Sequence, residues 1–100
     1  MNTSDNVWNA LNAVKDQETF LFFVRKLIED REDEVRKEEI KPSSPYGPGA
    51  NGWENGTIEA FLDAAASWAE ATDFGNSQGA PADNLWQRFA RFLYLGKIYE

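Results

Sequence analysis

Trp53, Glu54 and Asn55 stand side by side where a proline- and glycine-rich stretch gives way to a helical pattern at Gly56-Thr57-Ile58. A carboxylate partly stripped of water beside an indole can bind a cation or take a proton. For either task Glu54 needs a companion, and Asp63, Glu59 and Glu100 are the candidates. Two such groups around a hard cation (Mg²⁺ or Ca²⁺) or a water would make a carboxylate- or metal-dependent enzyme. The plainer reading is that Glu54 locks the loop by a backbone hydrogen bond or an ion pair with Arg88, Arg91 or Lys97. A single carboxylate with no visible catalytic partner favours the plainer reading.

Composition closes most other chemistry. The chain has no cysteine and no histidine. Disulfides, zinc–thiolate centres and nucleophilic thiols are therefore absent, as is the usual general base near neutral pH. The glycine patterns that cradle phosphates and the alternating Asp/Asn loop that binds Ca²⁺ are missing too. No cofactor, catalytic residue or metal ligand is expected, and the sequence predicts a non-enzyme. Formal net charge is −7, which repels a phosphate backbone and argues against nucleic acid. The same charge steers a basic protein partner, or simply keeps a small protein soluble. The amino-terminal residues lack a signal-peptide layout, and the strongly apolar run Phe20 to Val24 is too short for a bilayer. A cytoplasmic protein without membrane contact is expected.

The elements that must position these residues follow from periodicity. One hundred residues with 42% hydrophobic content fit one domain spanning 1–100. Val7, Trp8, Leu11 and Val14 share a face of a first helix, with Ser4 or Asp5 as its cap. A second helix begins after Asp16 and carries Phe20, Phe23, Val24, Leu27, Ile28, Arg31 and Val35. From Glu29 onward it becomes highly charged and reads as a solvated extension, with Glu32–Arg36 and Asp33–Lys37 as supporting pairs. Lys41 to Gly52, with three prolines and three glycines, is a loop; Tyr46 is its candidate anchor to the body.

A third helix runs from Thr57 to Thr72 with Ile58, Phe61, Leu62, Ala65 and Trp68 on its buried stripe. Asn55 is the expected cap at its amino terminus, with Thr57 competing. After a second loop, Asp83 or Asn84 opens a fourth helix that is apolar nearly all round and so central to its domain. Gly96 inside that helix costs about 1 kcal/mol against alanine, tolerable where a neighbouring helix or the Trp53 ring crosses. Trp53 is expected to bury for packing, and Tyr99 to bury its ring and wet its hydroxyl. The expected architecture is an all-α, compact four-helix domain with a long loop between helices 2 and 3.

Trp53-Glu54-Asn55, then Ile58, Phe61, Leu62 and Trp68, then Trp86, Phe89, Ala90 and Leu93, then Lys97-Ile98-Tyr99-Glu100 form a pattern. It resembles a family of small bacterial proteins known only as a domain of unknown function, over roughly Asp16 to Glu100. The segment Pro42 to Asn51 is longer than shorter members of that family would have. The resemblance implies a bacterial origin and a compact, mostly helical domain, and it carries no activity, cofactor or catalytic residue.

The leading expectation is a protein- or peptide-binding module whose surface includes Tyr46, Trp53, Glu54 and Tyr99. A sharper form is an immunity-type protein that neutralises a basic toxin. Homodimer formation through the apolar last helix is a further alternative.

Overall fold

Side-chain caps on three helices set the framework of the computed structural model, which describes residues 3–79 and 84–100. Helix α1 spans Thr3–Asn12, α2 Gln17–Ile40, α3 Ile58–Thr72 and α4 Leu85–Ile98, with a short 3₁₀ turn at Asn76–Gln78. The fold is all-α, and no strand occurs among the described residues. Asp16 caps α2: its carboxylate accepts from the Thr19 backbone N–H, while Thr19 reaches back to the cap, a reciprocal box. Asn84 caps α4 through the Gln87 N–H; Asp83 lies outside the described residues. Ser4 and Asp5 fall within α1 and not ahead of it.

Helix α3 ends where Asp73, Phe74 and Gly75 all take left-handed backbone angles. Two non-glycine residues there are costly. Packing holds them: the Phe74 ring stacks on Phe92 at 5.3 Å and meets Trp68 edge-on at 6.1 Å. The 3₁₀ turn that follows presents Gln78 to accept from the Trp68 indole N–H at 2.9 Å.

Helix α4 packs against α1, α2 and α3, but Leu85, Trp86 and Phe89 stay exposed, so its apolar surface is not covered all round. The main core gathers Val7, Ala10, Leu11 and Val14 of α1, Phe23 and Leu27 of α2, Trp53, and Ala90 of α4. Gln87 is buried in it and donates to the Leu11 and Val14 carbonyls, which closes the end of α1. At Gly96 a β-carbon would lie 2.8 Å from the Phe61 ring, so the glycine exists to let α3 cross. Helix α3 reaches α4 but its backbone stays clear of α2 among the described residues. Between α2 and α3 the connecting chain brings in Trp53, and Phe61 of α3 packs against the core cluster that includes Leu27 of α2.

The expected helix surfaces need correction. Trp8, placed on one face with the buried Val7, Leu11 and Val14, is exposed, as are Ile28 and Val35 of α2. Ile58 and Leu62, expected on the buried stripe, are 76% and 53% exposed, because no helix among the described residues covers that side. The charged half of α2 is not simply solvated: Asp30 and Glu34 are 0% and 2% exposed. They face the connecting loop and α4.

Candidate functional site

The loop between α2 and α3 is fastened by the charged half of α2. Glu38 accepts from the Ser43 N–H at 2.7 Å, the Ser43 hydroxyl at 2.6 Å and the Ala50 N–H at 2.8 Å. These bonds, led by those to Ser43, hold the Glu38 carboxyl below the usual range. One turn earlier, Glu34 accepts from the Asn51 and Trp53 backbone N–H groups and pairs with Arg31 at 2.6 Å. Gly49 comes so close to the Glu34 carboxylate that a side chain would collide with it. Asn51 is buried and donates to the Asp30 carbonyl and the Asp33 carboxylate, while accepting from Lys37. Asp33 and Lys37 also pair directly at 2.8 Å, as their spacing predicts; Arg36 turns to Asp33, at 3.6 Å.

At the base of this network lies a buried ion pair. Asp30 accepts from Lys97 of α4 at 2.7 Å and from the Trp53 indole N–H at 2.8 Å, through the same oxygen. Lys97 is 3% exposed. Charges this deep are tolerated only when paired and hydrogen-bonded. The Lys97 ammonium and the Arg31 guanidinium also approach the Trp53 ring, at 5.6 and 5.5 Å. Burial first, and then the Asp30 charge, push the Tyr94 hydroxyl above its ordinary range.

The chain then passes to α3 along the end of α4. The Glu54 N–H donates to the Lys97 carbonyl at 2.9 Å. Asn55 donates to the Gly96 and Tyr99 carbonyls, each at 2.9 Å. The cap of α3 is Thr57, whose hydroxyl accepts from the Ala60 N–H. Asn55 therefore does not cap α3; it closes the carboxyl end of α4, because its amide group points to acceptors there and not to donors. The Trp53 ring is 8% exposed and stacks on Phe61.

Beside this junction a groove of about 490 Å³ opens between α2 and α3. Leu27, Ile28, Arg31 and Glu32 form one wall, and Ile58, Phe61 and Leu62 the other. Trp53 and the Asn55-Gly56-Thr57 backbone lie at its end. Its polar groups are largely engaged elsewhere: Arg31 also donates to the Gly56 carbonyl, and Asn55 serves α4. The surface offers apolar burial and few directional contacts.

The four singled-out residues do not converge. Trp53 lines the groove from within, while Glu54 is exposed and sits outside its lining. Tyr99 follows α4 and is half-buried, and its carbonyl, not its ring, meets Asn55. Tyr46 is 97% exposed at the loop tip, so it does not pin the loop; carboxylates do. Glu54 does meet Glu100. Its carboxyl is raised above the usual range by lost hydration, then by the hydrogen bond and charge of Glu100. No group of three or more side chains suited to a metal ion occurs among the described residues.

The sequence does contain a signal for the ion pair. Phe23, Leu27, Asp30 and Glu34 recur at helical spacing along one face, as do Ala90, Leu93 and Lys97. An acid and a base that each continue an apolar stripe are candidates for one another.

A helical body with a strapped connector and an apolar groove defines the class: an all-α scaffold that presents a shaped surface. The chain belongs to a family of unknown function (DUF7660), whose model matches residues 16–100. No curated protein and no solved structure matches it.

Proposed function

We propose that this protein is a non-enzymatic binding module of the bacterial cytoplasm that holds a protein or peptide in the groove between α2 and α3. The observation that carries the reading is the groove itself. Other large apolar side chains are exposed too, Leu21, Phe22 and Leu85 among them, but Ile28, Ile58 and Leu62 line one concave surface together, and grouped apolar exposure marks interaction surfaces. The buried Asp30–Lys97 pair and the Glu34 and Glu38 anchors fix the Trp53 end of that surface before any partner arrives. Preorganisation of this kind lowers the entropic cost of association. An immunity-type role against a basic toxin is one form of this reading, supported by the net charge of −7.

Photo-crosslinking in the producing cell tests it. A benzophenone side chain at position 58 is expected to give a discrete adduct that disappears with Leu62→Asp. The purified adduct partner should then bind the wild type and not the folded Leu62→Asp variant. Adducts that form equally at position 46, or that persist with Leu62→Asp, would remove the groove from the account.

A further inference from the structure

We infer that the groove takes a basic amphipathic α-helix of a partner protein, an assignment that rests on the groove being the docking surface. Three observations lead there. The first is steric. Among the described residues the α3 backbone lies close to α4 and to the 3₁₀ turn but not to α2. The groove between α2 and α3 exposes Ile28 on one side with Ile58 and Leu62, four residues apart, on the other. Side chains at i and i+4 line up along a helix, so these rows match the i, i+3, i+4, i+7 anchors of an incoming helix.

The second concerns hydrogen bonds. An extended peptide brings unpaired backbone N–H and C=O groups that require partners when buried. No strand edge exists among the described residues to receive them. Of the polar side chains at the groove, Arg31 is held by Glu34 and Gly56, Asn55 by Gly96 and Tyr99, and Thr57 caps α3, which leaves the Glu32 carboxylate, an acceptor that cannot serve backbone C=O groups. A helix satisfies its own backbone and asks only for burial of its apolar face. For the same reason a small polar ligand would find little to orient it.

The third is charge. Exposed Glu59 and Asp63 follow Ile58 and Leu62 in sequence, outside the groove lining itself, and exposed Glu32 forms part of the α2 wall. The whole segment from Pro42 to Asn84 contains six acidic residues and no lysine or arginine. Arg31, the cation in the groove, is engaged by Glu34 and Gly56. The rim therefore selects lysine or arginine beside the partner's apolar stripe. A second copy of this chain is disfavoured, since each copy carries −7.

Three synthetic peptides serve as probes: a Leu/Lys helix with leucines at i, i+3, i+4 and i+7, its Leu/Glu counterpart, and the Leu/Lys peptide broken by a central proline. Each is titrated into the full chain by calorimetry and by methyl NMR at low and high salt. The Leu/Lys helix is expected to bind, to shift Ile28, Ile58 and Leu62, and to weaken with salt. Leu62→Asp, a change at an exposed site that should leave the melting curve in place, is expected to cut affinity at least about tenfold. The pair Glu59→Lys and Asp63→Lys should transfer preference to the Leu/Glu helix. Equal or tighter groove binding by the Leu/Glu or the proline-broken peptide overturns the basic-helix assignment and leaves the groove reading standing. No groove shift with any peptide overturns both. Concentration-dependent dimers that shift the same methyls replace the foreign helix with a second copy and overturn the assignment.

Discussion

Lys97→Met tests the claim that a buried ion pair joins the loop to the last helix. The substitution keeps much of the side chain's length and removes its charge. Asp30, with no exposed surface, then retains the Trp53 indole N–H on the oxygen it shared with Lys97. Breaking a buried pair from one side costs about 3–5 kcal/mol, because the remaining charge stays desolvated. A chain of 100 residues has a total stability of about 5–15 kcal/mol. The loss thus consumes a large share of the total, and at about 4 °C or more per kcal/mol the midpoint falls by at least about 12 °C. Adding Asp30→Asn removes the buried negative charge and keeps an acceptor for the indole. The double variant is expected to regain about 1–3 kcal/mol over Lys97→Met alone. Urea denaturation followed by far-ultraviolet circular dichroism supplies the numbers, with an unchanged slope as the check on two-state behaviour. A cost under about 1 kcal/mol, typical of an exposed pair, would refute the reasoning. So would a double variant no more stable than Lys97→Met.

Three further outcomes are expected. Gly96→Ala gains about 1 kcal/mol of helix propensity but forces the Phe61 ring aside at about 1–3 kcal/mol, so thermal melts should show a net loss that Phe61→Leu relieves. Asn55→Ala strips two hydrogen bonds from the end of α4, and at about 0.5–1.5 kcal/mol each should cost more in denaturant titrations than Thr57→Ala, a cap of about 1 kcal/mol. The two loop carboxylates should respond to pH with opposite signs. Glu38 titrates below its unfolded value, so its contribution is present at neutral pH and is lost as pH falls through the folded value. Glu54 titrates above its unfolded value, so its ionisation penalises the fold at neutral pH and the penalty lifts in acid. Glu38→Gln should therefore lower, and Glu54→Gln raise, the neutral melting temperature, with both effects vanishing in acid.

The helices were legible because their signals are local. Asp16 and Thr19, Asn84 and Gln87, and Thr57 and Ala60 lie three residues apart, within reach of any reading by eye. Gly96 was legible because an unforced glycine in an apolar helix implies a close crossing. The groove and its strap were not, since their determinants are distant in sequence: Asp30 and Lys97 are separated by 67 residues. A run such as Glu29 to Glu39 looks wet when seen alone. Asn55 misled for a related reason. A carboxamide both donates and accepts, and which end it uses depends on the neighbour that tertiary structure supplies.

The tie between Asp30 and Lys97 also orders events during synthesis. A ribosome delivers α2, the connector and α3 well before residue 97 emerges from the exit tunnel. Until it does, Asp30 lacks the Lys97 ammonium and Asn55 lacks the Gly96 and Tyr99 carbonyls. The nascent chain must therefore remain without its finished cleft, and any premature client would meet a surface not yet assembled.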